Sequence, residues 1–78
     1  MKKNNILDEA VRKSLDSYFA DLGDTDPSDL YDMVVRCIER PLLTITMQRA
    51  NNNQSRAAAM LGLTRNTLRK KLLLHKLI

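Results

Sequence analysis

The sequence predicts an all-α fold, a chain of four helices. Apolar residues recur at spacings of three and four along the chain, and no segment alternates with period two. Aromatic residues, which favour strands, are only Tyr18, Phe19 and Tyr31. Two Gly and two Pro are all the strong breakers the chain has, and three of these four fall where a helix would begin or end.

At 78 residues and 8.9 kDa the chain has room for one domain. A chain this short buries only about 60% of the surface its unfolded form exposes, and small basic chains commonly solve that problem by oligomerising. The single Cys allows no intrachain disulfide and points to a reducing compartment. No apolar run nears the roughly 18 residues of a membrane span, and nothing at the N-terminus resembles a signal peptide. The scarcity of Gly excludes collagen-like, linker-like and Gly-rich phosphate-loop readings.

The first helix is expected from about Asn5 to Leu22. Its stripe is Ile6, Leu7, Ala10, Val11, Leu15, Tyr18, Phe19 and Leu22. Asn5 suits an N-cap, Asp8 and Glu9 complement the helix dipole, and Gly23 suits a left-handed stop.

The second helix is expected to start at Asp26-Pro27, a cap followed by a residue that needs no N–H, and to run to about Ala50. Leu30, Tyr31, Met33, Val34, Val35, Cys37, Ile38, Leu42 and Ile45 fall in an apolar arc of about 200°. Asp29, Asp32, Arg36, Glu39 and Arg40 fill the other side. One neighbouring helix covers about half of such an arc, so the rest implies a second chain. Pro41 should bend this helix without ending it, because the stripe continues in phase beyond it. The acids between Asp24 and Asp32 lack the Gly and Glu that a calcium loop requires.

Charge divides the chain. Residues 1–46 hold six Lys/Arg and all nine Asp/Glu, net −3. Residues 47–78 hold seven Lys/Arg and no acid, net +7. A solvated face normally mixes signs, so this half reads as a surface for a polyanion.

The same half carries the informative motif. Asn51-Asn52-Asn53 is a turn signal, with Asn53 as cap for a short helix over Gln54–Leu61. Gly62-Leu63-Thr64 is a tight turn, and Thr64 caps a second short helix over Arg65–Leu74. Small Ala58 allows close helix approach, while Leu61, Leu63, Leu68 and Leu72 supply a core. Together these features make a helix-turn-helix. Lys71 departs from the general motif, standing where an apolar residue is commoner.

The second short helix is then the recognition helix, with Arg65, Asn66, Thr67, Arg69, Lys70 and Lys71 exposed. Arg65 can read guanine bidentately, and Thr67 can meet a phosphate or a thymine methyl. Lys70 and Lys71 suit flanking phosphates, and Asn53 and Ser55 can present donors to another phosphate. Elsewhere, Cys37 reads as a buried thiol, His75 as a surface residue, and Met33 and Met60 as core. Leu73, Leu74, Leu77 and Ile78 form an apolar tail. Asn53-Gln54-Ser55 matches a glycosylation sequon by accident. No catalytic constellation, metal-ligand set or cofactor motif is visible, and the chain is not expected to be an enzyme.

Ser17-Tyr18-Phe19-Ala20, Asp29-Leu30-Tyr31, Glu39-Arg40-Pro41-Leu42-Leu43, Asn53-Gln54-Ser55-Arg56-Ala57-Ala58 and Thr67-Leu68-Arg69-Lys70-Lys71-Leu72 run along nearly the whole chain. In these segments the chain resembles the Fis family of bacterial nucleoid-associated DNA-binding proteins. The resemblance implies an interlaced helical homodimer, with residues 1–50 as dimerisation helices and residues 51–78 as the DNA-binding unit. It implies binding and bending of double-stranded DNA, transcription regulation, and a cytoplasmic, nucleoid location. Asn53, Ser55, Thr64, Arg65, Thr67, Arg69, Lys70 and Lys71 align with family positions at the DNA surface. RNA polymerase is a candidate partner. The chain starts almost at its first helix, where enteric members carry an arm that activates DNA-inversion recombinases, which argues against a recombinase partner. Leu73 and Leu74 stand where those members carry lysines.

The sequence leaves two alternatives open. The same motif ends many bacterial enhancer-binding activators, so the chain could be a related output module. A pure dimerisation module would use the wide apolar arc but leaves the acid-free half unexplained.

Overall fold

The computed structural model describes residues 2–78, with side-chain surroundings from residue 5. The described residues form helices α1 (Lys2–Leu22), α2 (Leu30–Arg49), α3 (Gln54–Leu61) and α4 (Arg65–Leu74), and no strand among them.

Helix α1 begins at Lys2, so Asn5 lies inside it and is not its cap. Lysine is a good helix former, and the run before Asn5 contains no breaker. The helix stops at Gly23, whose φ of 64° is left-handed and whose N–H donates to the Phe19 carbonyl at 3.2 Å.

Helix α2 starts at Leu30, three residues beyond Pro27. Asp26-Pro27 remains in the connection because Asp29 takes a left-handed conformation (φ 54°, ψ 34°) that interrupts any helix continuing from them. Aspartate tolerates that region better than most residues. The Asp29 carbonyl accepts from the Met33 N–H at 3.1 Å, but its side chain makes no capping bond. Past this start, α2 is one helix through Pro41. Proline has no N–H to give the Cys37 carbonyl one turn earlier.

The corner after α2 is built from asparagines. Asn51 (φ 55°) and Asn52 (φ 62°) are both left-handed, and the Asn52 N–H donates to the Met47 carbonyl at 2.9 Å. The Asn53 side chain then accepts from the Arg56 N–H at 3.1 Å and starts α3.

The core lies at this corner. Leu43, Met47 and Ala50 of α2 and its end pack with Ala57 and Ala58 of α3 and Leu68 and Leu72 of α4; Leu61 and Leu77 close its edge. Alanines at 57 and 58 let the two short helices approach closely. This core crosses residue 50, since Ala50 itself is buried in it.

Much of the apolar surface outside this core is uncovered. Ile6, Leu7, Phe19, Val35, Ile38, Leu42 and Ile45 are exposed, and Tyr31 is 84% exposed. An open cleft of about 410 Å³ between α1 and α2 is lined by Ala10, Val11, Leu15, Tyr18, Met33 and Cys37, among others. Cys37 is therefore exposed rather than buried, because it lines this cleft, which α1 leaves open. Met60 is also exposed rather than core, and Met33 is half-buried. The radius of gyration is 15.0 Å, against about 11.5 Å for a compact chain of this length. No helix among the described residues is long and apolar enough to cross a membrane.

Candidate nucleic-acid interface

Helix α4 is held by its two inward leucines. Leu68 and Leu72 are both fully buried, which fixes the rotation of the helix about its axis. Its start is set by Thr64, whose hydroxyl oxygen accepts from the Thr67 N–H at 3.2 Å. The Thr64 hydroxyl also donates to the Thr67 hydroxyl oxygen at 2.9 Å, so the cap orients a candidate contact residue.

Gly62 sets the angle between α3 and α4. Its φ is 74°, and a Cβ there would meet nothing within 4 Å. Backbone conformation, not space, calls for glycine. The Leu63 N–H donates to the Ala58 carbonyl at 2.9 Å and closes the turn.

With the helix so placed, Arg65, Asn66, Thr67, Arg69 and Lys70 are exposed, as are Asn53, Ser55 and Thr64 at the starts of α3 and α4. Among the described residues, Arg65, Arg69 and Lys70 make no ion pair. With no acid after Glu39, their charge is not offset by carboxylates of their own half. A helix presenting unpaired cations beside amide and hydroxyl side chains can hold phosphates and read base edges.

Lys71 differs from its neighbours. Its ammonium lies 2.8 Å from Glu39 Oε2, and its side chain is 34% exposed. His75 is not a surface residue either. Its side chain is 8% exposed, with Nε2 2.8 Å from Glu39 Oε1. Arg40 Nη1 donates to the His75 carbonyl. Glu39 thus sits 16% exposed between two partners on α4 and just past its end. The Lys71 hydrogen bond, then the His75 one, hold its carboxyl below the usual carboxylate range.

The periodicity of α2 places Glu39 and Arg40 on its solvated side and gives them no role. The available signal is Lys71 itself, a cation at a position that usually packs. Such a cation needs an acid, and Glu39 is the last acid in the chain.

Comparison with known proteins agrees with this geometry. Residues 34–73, from within α2 to within α4, match the family model described as bacterial regulatory protein, Fis family. Over 74 residues the chain is 54% identical to a putative Fis-like DNA-binding protein of Ralstonia nicotianae, covering 95% of this chain and 96% of that one. Over 72 residues it is 49% identical to a putative Fis-like DNA-binding protein of Neisseria meningitidis serogroup A, covering 92% and 91%. A DNA-binding protein Fis of Yersinia pestis is 50% identical over 66 residues, 85% of this chain and 67% of that one. With its all-helical fold and its helix-turn-helix of α3 and α4, the chain belongs to the Fis family of bacterial regulatory proteins.

Proposed function

We propose that the protein acts as a homodimer that binds and bends double-stranded DNA and regulates transcription as a nucleoid-associated protein of the bacterial cytoplasm. The observation that carries DNA binding is the exposed row Arg65, Arg69 and Lys70, unpaired among the described residues, on a helix whose rotation Leu68 and Leu72 fix. Arg65 reads guanine, Asn66 and Thr67 meet base edges or phosphate, and Arg69 and Lys70 hold flanking phosphates. Asn53, Ser55 and Thr64 present donors to the backbone at the starts of α3 and α4.

The open cleft between α1 and α2, with its exposed apolar rim, supports the dimer. A second copy would cover what a single chain leaves wet, and it would set two recognition helices at a fixed separation. Few groups can read bases, so selectivity rests on how easily the site deforms, with A·T-rich centres favoured. Smooth bending of a 20–30 bp site costs on the order of 1–6 kcal/mol, which phosphate contacts beyond the two grooves offset.

The test is gel mobility with one site permuted along fragments of equal length, together with sedimentation at micromolar concentration. Mobility should be lowest with the site central, and the protein should sediment at about twice 8.9 kDa. Mobility independent of site position would leave the DNA straight, and a folded monomer would remove the dimer.

A further inference from the structure

We propose that Glu39 is a positioning residue for the recognition helix: it withholds Lys71 from DNA phosphates and, with Arg40, pins the C-terminal turn of α4 to α2. The inference rests on the DNA-binding reading above and gives Lys71 a different role within it.

Three contacts converge on one turn of α2. Glu39 Oε2 holds the Lys71 ammonium at 2.8 Å, and Glu39 Oε1 holds His75 Nε2 at 2.8 Å. Arg40, the next residue, donates to the carbonyl of His75, the C-cap of α4. A cation at that end also complements the helix dipole. Both carboxylate oxygens are engaged, and the group is mostly buried, so the pair is screened less than a surface pair.

The consequence is a boundary on the basic face. Arg65, Arg69 and Lys70 are exposed and unpaired among the described residues. Beyond them Lys71 is neutralised, Leu72 is buried, and Leu73 and Leu74 are exposed but apolar. The phosphate-binding row of α4 therefore ends at Lys70. The remaining turn of the helix fixes its tilt against α2, the helix that carries the uncovered dimer face.

The deciding experiment is the salt dependence of affinity for a random DNA duplex, using full-length protein. Each phosphate neutralised contributes about 0.9 to the slope of log K against log salt. Lys70→Met should make the slope shallower by about that amount for each phosphate it no longer neutralises. Lys71→Met should leave it unchanged. Glu39→Gln should release Lys71 and steepen the slope, and the double variant Glu39→Gln/Lys71→Met should return it to the wild-type value. A purely structural role for Glu39 would lower stability without moving the slope. An equal loss of slope in Lys71→Met and Lys70→Met overturns the proposal, as does an unchanged slope in Glu39→Gln. Should Glu39→Gln not fold, the Lys71→Met and Lys70→Met pair decides. Failure of the wild-type protein to bind duplex would instead sink DNA binding. In that case urea unfolding of the DNA-free protein decides the pairing: additive effects of Lys71→Met and Glu39→Asp would overturn it, and non-additive effects would support it.

Discussion

Arg65 is the first residue of α4 and is exposed, with no acidic partner among the described residues. Replacing it with alanine should cost about 1–3 kcal/mol at a preferred site and relax base preference there. Competition binding between preferred and random duplexes reads this directly. Equal losses on both DNAs would make Arg65 a phosphate contact and not a base reader. The residues that set this site are legible in the sequence wherever their partners are close in the chain. Asn53 caps Arg56, Thr64 caps Thr67, and Gly62 turns left-handed, each within one turn of helix. Lys71 and His75 are not legible in this way, because their partner lies 32 and 36 residues away. Periodicity places a residue on a face but is silent about the register between two helices.

At the scale of elements, the tie between α2 and α4 carries a pH dependence. The Glu39 carboxyl is held below its ordinary value of 4.5 in the folded state, chiefly by Lys71. Its contribution to stability is therefore fully present above about pH 4.5 and is lost as pH falls toward the depressed folded value. Urea unfolding of the wild-type protein and Glu39→Gln should differ most above that pH, and the two should converge in acid. A gap of constant size from neutral to acid pH would show that ionisation of Glu39 adds nothing. The helices themselves are legible to different degrees. The bounds of α3 and α4 follow from the sequence because strong caps stand at both starts. The start of α2 does not, because Asp26-Pro27 is a good local signal that the left-handed Asp29 overrides. The continuation of α2 through Pro41 is readable from the unbroken phase of Leu42 and Ile45.

For the whole molecule, an extended radius of gyration and an uncovered apolar face belong together. The sequence points to the uncovered face through the width of the arc on α2. It misplaces Cys37 because burial there depends on a surface that one chain does not supply. If a second copy covers that face, stability follows mass action, so the melting temperature should rise with protein concentration. Far-UV circular dichroism over a dilution series reads it, and a concentration-independent midpoint would mean that folding does not need association. The core at the α2–α3 corner has a further consequence, for modularity. Leu43, Met47 and Ala50 supply one wall of the space that Leu68 and Leu72 fill. The helix-turn-helix is thus not a detachable cassette. A graft that begins at Gln54 carries the sequence of a reading head without the wall that gives it shape, whereas one that begins before Leu43 carries both. Any exchange of DNA-binding heads between relatives would have to cut within α2, and the helix that joins two copies would be the same one that shapes each reader.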